Sequence, residues 1–132
     1  MNNTQKKKLI KFFKTVPYLK LVYFFGSRAR KDAGPMSDYD FAVYFDGIGR
    51  SKMFDLHLEI LGEINSILKS DNVDVVVLNT ADSPLLKYLV ISEGQILLEK
   101  QPYKIVVECQ IMNEYFDHKK TLMIYHLTKA KV

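Results

Sequence analysis

Several things are scarce in this 132-residue sequence, and each scarcity closes off a class of protein. Cys109 is its single cysteine, so no disulfide closes within the chain, and its three histidines are scattered rather than grouped at zinc-ligand spacing. A disulfide scaffold and a zinc module are both excluded, and Cys109 is expected to be a buried helix residue. No apolar run approaches the roughly 18 residues that cross a bilayer, so no membrane contact is expected. The opening "MNNTQKKKLIKFF" lacks the apolar stretch and small-residue cleavage site of a secretory signal, which makes a cytoplasmic protein the expectation. No repeat, linker or low-complexity segment divides the chain. A single domain over 1–132 is expected, with a core from about 5 to 100 and a final helix from about 103 to 128.

Acid is also missing from one end. Residues 1–31 hold nine Lys or Arg and no Asp or Glu, whereas residues 32–100 hold twelve acids against five bases. A basic lobe of this kind attracts nucleic acid when aromatics interleave on an exposed sheet, a pattern absent here. "KKKLIKFFK" reads instead as the solvated face of an amphipathic helix, and direct nucleic-acid binding is not expected.

What is present is an alternation of helical and strand patterns. Leu9, Ile10, Phe12, Phe13 and Val16 recur at helical spacing before Pro17, and "LKLVYFF" (19–25) reads as a buried strand stopped by Gly26. "SDYDFAVYFD" (37–46) alternates, with Asp38, Asp40, Ala42 and Tyr44 on one face and Tyr39, Phe41, Val43 and Phe45 on the other. A helix from about 51 to 69 carries Met53, Leu56, Ile60, Ile64, Ile67 and Leu68. "DNVDVVVL" (71–78) is a third strand with Asp74, Val76 and Leu78 on one face. A helix from about 82 to 91, a strand "QILLE" (95–99) and a long final helix follow, the last with Ile105, Cys109, Met112, Phe116, Leu122 and Met123 as its apolar stripe. The fold class is therefore α/β (α+β), a small mixed sheet flanked by helices.

The chemistry concentrates between Phe24 and Phe45. Asp38 and Asp40, two apart on a strand, leave the same face and repel, and a cation between them is the economical resolution. Carboxylates without nearby His or Cys select a hard ion such as Mg²⁺, which completes its shell with water and substrate phosphate. Asp74, with the same alternation on another strand, is the candidate third carboxylate of a two-metal site for phosphoryl chemistry. Gly26-Ser27 supplies the phosphate side, since glycine admits close backbone approach and a helix starting at Ser27 aims its N–H groups at an anion. Arg28, Arg30 and Lys31 follow at once as positive side chains beside a triphosphate.

"GSRARKDAGPMSDYD" resembles the G-S-x10-D-x-D signature of the nucleotidyltransferases with the polymerase-beta-like fold, in particular the minimal nucleotidyltransferases encoded beside HEPN-domain proteins, the MntA-type antitoxins. "VDVVVL" and the C-terminal "YFDHKK" extend the resemblance over most of the chain. It implies that Gly26 and Ser27 hold the triphosphate, with Arg28 and Arg30 beside it. It also implies that Asp38 and Asp40 carry two Mg²⁺ ions and that Asp74 is a metal ligand and general base, or a close aid to it. Members of this kind move AMP from ATP to a tyrosine of the HEPN toxin and silence its ribonuclease activity, so ATP and a HEPN toxin are the implied substrate and partner.

Two other readings stand beside that one: nucleotidyl transfer to a small hydroxylated molecule, as in aminoglycoside-modifying enzymes, and an antitoxin that acts by binding alone. The first usually needs an extra helical domain for which this chain has no length. Arg50 and His57 form an R-x6-H spacing like that of the HEPN ribonuclease itself, but they sit in an alternating α and β chain rather than a helical bundle. His118 and His126 are expected at the surface, with Tyr115, Phe116 and Tyr125 as candidates for facing a partner.

Overall fold

The computed structural model describes residues 1–30 and 38–130, with side chains through residue 126. Helix α1 (Asn3–Thr15) opens with a capping box. Asn2 Oδ1 accepts from the Gln5 N–H at 2.8 Å, and the Asn2 N–H donates to Gln5 Oε1 at 3.0 Å. Leu9 and Phe13, four residues apart, are its fully buried contacts, and its lysines stay on the outer face. Strand β1 (Leu19–Phe25) is buried on both faces from Leu21 on, which is why 21–25 is a continuous apolar run rather than an alternation.

β1 lies at the centre of a four-stranded sheet of order β3-β2-β1-β4. It pairs antiparallel with β2 (Tyr39–Phe45) and with β4 (Gln95–Glu99), while β2 runs parallel to β3 (Val73–Val77). A parallel pair needs a long crossover, and α2 (Arg50–Leu68) supplies it, burying Leu56, Ile60, Ile64 and Leu68 at successive turns. Helices α3 (Pro84–Glu93) and α4 (Tyr103–Ala130) complete the chain.

The alternation expected for β2 holds. Tyr39, Phe41, Val43 and Phe45 pack with α1 and α2, where Phe41 meets Phe13 edge-on at 6.4 Å between ring centroids. Ala42 and Tyr44 belong to the opposite face, with Leu21, Tyr23, Phe25 and residues of α3 and α4. On that second face the Tyr23 hydroxyl donates to Glu108 at 2.6 Å, and burial with this contact raises the phenol well above its usual range. Where β2 ends, Asn79 takes over from the sheet, accepting from the Phe45 N–H at 3.0 Å and donating to its carbonyl at 2.8 Å.

Two expectations for the last helix are corrected. Cys109 is exposed, and so are Ile105, Met112, Phe116, Leu122 and Met123. The inward stripe is Val107 and Ile111, continued by half-buried Tyr103 and Tyr115. Tyr103 donates to Asp46 at 2.7 Å, and this bond with that of Glu108 sets the rotation of the helix. Tyr115 stacks on Tyr88 of α3 with centroids 4.1 Å apart. Among the described residues no helix is long and apolar enough to cross a membrane.

Candidate active site

Strand pairing assembles the site. β1 runs up to Gly26 and β2 returns antiparallel beside it, so Phe25 is the register partner of Asp40 and Gly26 sits against that carboxylate. β3 then lies parallel on the other side of β2 with Asp74 directly opposite Asp40. The thirty-four residues that separate the two aspartates in sequence are taken up by α2 and its flanking turns, and the carboxylates leave one sheet face as nearest cross-strand neighbours. Asp38 lies at the mouth of β2, just before its first residue, and is exposed, as is Asp74; Asp40 is half-buried.

Burial raises the carboxyl pKa of Asp40 above the ordinary carboxylate value, and the charges of Asp74 and then Asp38 raise it further. Among the described residues no Lys, Arg or His forms an ion pair with any of the three. Nor, among those residues, do three acidic, His or Cys side chains close into a ready-made cage. The donor set instead suits a hard cation that takes one or two carboxylates and fills the rest of its octahedron with water and phosphate oxygens. Asp40 and Asp74, with Asp38 at the rim, are the residues that fit Mg²⁺.

Gly26 has φ +83°, in the left-handed region that costs an L-residue about 1–2 kcal/mol. A Cβ there would stand 2.5 Å from Asp40 Oδ2, so only glycine lets the turn approach the carboxylate. Residues 27–30 form a turn closed by the Arg30 N–H on the Gly26 carbonyl at 3.1 Å, and Gln95 ties it to β4 by donating to the Ala29 carbonyl at 3.2 Å. Ser27 is half-buried on this turn. A helix was expected from Ser27 onward; residues 27–30 form this hydrogen-bonded turn, and Lys31 and the rest of the return segment to Ser37 lie outside the described residues.

The two arginines are held elsewhere than over the carboxylates. The Arg28 guanidinium lies over the Tyr39 ring, 4.1 Å from its centroid, and Tyr39 belongs to the face opposite Asp40. Arg30 bonds Glu93 at the end of α3 at 2.8 Å. Sequence reasoning missed a further charged residue: Lys87, a buried cation of α3, holds both oxygens of Glu114, at 3.0 and 2.8 Å. A lysine midway along an apolar helix was the available signal. His57 is half-buried and His118 and His126 are exposed, in keeping with their expected bland roles.

Fold and site together define an α/β protein with a mixed sheet that sets cross-strand carboxylates against a tight glycine turn. The chain belongs to the family described as polymerase beta nucleotidyltransferase, whose pattern matches residues 7–103. A curated relative, protein adenylyltransferase MntA of Aphanizomenon flos-aquae (strain 2012/KM1/D3), is 36% identical over 96 residues, covering 64% of this chain. The chain spans 60% of that relative's length over the match. Among solved structures, a chain of a toxin–antitoxin crystal structure with AMP-PNP superposes with TM-score 0.72 at 24% identity over all of both chains. A chain from the complex of tri-AMPylated Shewanella oneidensis HEPN toxin with MNT antitoxin gives 0.70 at 24%, again over all of both. These two likenesses establish the polymerase-beta-like fold, with its four-stranded mixed sheet and long C-terminal helix.

Proposed function

We propose that this protein is a Mg²⁺-dependent nucleotidyltransferase that moves AMP from ATP to a tyrosine hydroxyl of a HEPN-domain toxin and so acts as its antitoxin. The observation that carries the reading is the register pair Asp40 and Asp74 beside the Gly26 turn. The relative named a protein adenylyltransferase and the fold shared with toxin–antitoxin chains support the choice of donor and acceptor.

In this reading the Gly26-Ser27 turn receives the triphosphate, its lack of a side chain letting the phosphates come close to Asp40. Arg28 and Arg30 belong to the turn itself and would have to leave Tyr39 and Glu93 to reach the phosphates. Asp38, Asp40 and Asp74 would hold two Mg²⁺ ions, and the chemistry bound metal would supply there is neutralisation of phosphate charge. Asp74, exposed where Asp40 is half-buried, accepts the proton of the incoming hydroxyl. A bond forms between that oxygen and the α-phosphorus, the bond from the α-phosphorus to the bridging oxygen breaks, and pyrophosphate leaves.

The partner surface is the outer length of α4, where Phe116, Leu122, Met123, Ile124 and Tyr125 are all exposed beyond the last turn that touches the sheet. Co-expression with a HEPN-domain toxin tests the reading. Mass spectrometry of the toxin is expected to show added multiples of AMP, and Asp40→Asn is expected to abolish them. An unmodified toxin with the intact protein, or undiminished modification with Asp40→Asn, would sink it.

A further inference from the structure

Helix α2 keeps one side out of the core, and the site at Asp40 makes no use of it. Phe54 and Leu58, four residues apart, are 60% and 50% exposed there, and Gly62 continues their line at the next turn. A glycine inside a helix costs stability relative to alanine, and nothing within the fold requires this one: a Cβ at Gly62 meets no atom within 4 Å. An open glycine beside two exposed apolar side chains marks a place where another backbone can come close. Alongside runs a second row, Asp55, Glu59 and Glu63, all exposed. Helix α1, the neighbour of α2 over the same sheet face, carries the opposite row, Lys7, Lys11 and Lys14, also exposed. Among the described residues none of these six forms an ion pair. Between the two helices, Phe12 and Ile67 line a shallow groove.

We propose that this face receives a second copy of the chain, α1 of one protomer lying on α2 of the other and the same contact being made in reverse. Charge selects the occupant. The lysine row of α1 belongs to a stretch, residues 1–31, with nine bases and no acid, so it complements the acidic row of α2 and repels another α1. Length agrees, because at about 1.5 Å per residue Lys7 to Lys14 spans about 10 Å and Asp55 to Glu63 about 12 Å. Lysine also suits the apolar line, since its methylene stem covers Phe54 and Leu58 while its ammonium reaches the acids beside them. Gly62 lets the incoming helix settle against the α2 backbone. A two-fold axis running along the groove places each α1 on the other protomer's α2 and forms the contact twice. Asp40 and the inward stripe of α4 belong to the opposite face of the sheet, so the dimer leaves the carboxylates and the exposed length of α4 open.

Sedimentation velocity on the full chain tests this by charge exchange. At low salt the unaltered protein is expected to sediment as a species of twice its 15.3 kDa mass, and to shift toward monomer as salt is raised. Lys7→Glu with Lys14→Glu, and separately Asp55→Lys with Glu59→Lys, are each expected to weaken the dimer roughly tenfold or more, since each sets like charges against each other. Mixed in equal amounts, the two double variants are expected to restore it, because attraction returns at both contacts. Gly62→Gln separates association from folding: as a better helix former it is expected to raise the melting temperature at high salt, and yet to weaken the dimer. A monomeric unaltered protein overturns the proposal, as does a dimer indifferent to either double variant or to Gly62→Gln, or a mixture that stays monomeric. A monomer whose capture of a HEPN-domain toxin falls with Asp55→Lys and Glu59→Lys assigns the face to the toxin, which also overturns it.

Discussion

Gly26→Ala separates two costs that the structure places at one atom. The first is conformational: φ +83° costs an alanine about 1–2 kcal/mol wherever it occurs. The second is local, since the new Cβ meets Asp40 Oδ2 at 2.5 Å and the carboxylate must leave its present rotamer, at about 0.5–1.5 kcal/mol. Gly26→Ala alone is therefore expected to lower unfolding free energy by about 1.5–3.5 kcal/mol. In an Asp40→Ala background only the conformational part remains. A double-mutant cycle by urea denaturation in EDTA is then expected to return a coupling of about 0.5–1.5 kcal/mol between the two positions. The same single substitution displaces the carboxylate and is expected to depress AMP transfer even where the protein stays folded. A cycle with no coupling, or a stable Gly26→Ala protein with full activity, would refute the placement of the turn against Asp40.

Substitutions at Asp40 and on α4 probe charge and surface. The pKa of Asp40 is raised in the folded state by burial and then by Asp74 and Asp38, so protonated Asp40 favours folding at low pH and that contribution is lost as pH rises through its folded pKa. Asp40→Asn has no such dependence. In EDTA its stability relative to the unaltered chain is expected to increase as pH rises from below the ordinary carboxylate range toward neutrality; a pH-independent difference would contradict the crowding of the three acids. On α4, Leu122→Asp with Met123→Asp is expected to leave the melting temperature of the isolated protein nearly unchanged, because both side chains are exposed, while toxin capture in a pull-down is lost. Capture that survives both changes would move the partner surface elsewhere.

Much of this geometry was legible before any coordinates. Strand alternation put Asp38, Asp40 and Asp74 on inward-equivalent faces, and the glycine turn was marked by the abrupt end of an apolar run at Phe25. Periodicity could not say that β2 and β3 are neighbours in parallel register; that depends on α2 packing as the crossover. The phase of α4 was misread for a physical reason. Apolar residues fall at helical spacing along two stripes, Tyr103–Val107–Ile111 and Ile105–Cys109–Met112, and tertiary bonds from Tyr103 to Asp46 and from Tyr23 to Glu108 select the first. The placement of Arg28 over Tyr39 was equally hidden. A basic residue next to a phosphate turn suggests a phosphate contact, but the ring it covers comes from the next strand.

The central claim is that the carboxylates beside Gly26 direct transfer of the nucleotidyl group, and the position of label in ATP tests it most directly. Parallel reactions of this protein with a HEPN-domain toxin, one with ATP labelled at the α-phosphorus and one at the γ-phosphorus, are expected to label the toxin from the α position alone, with pyrophosphate released. Label carried over from the γ position, or none from either, would contradict the account.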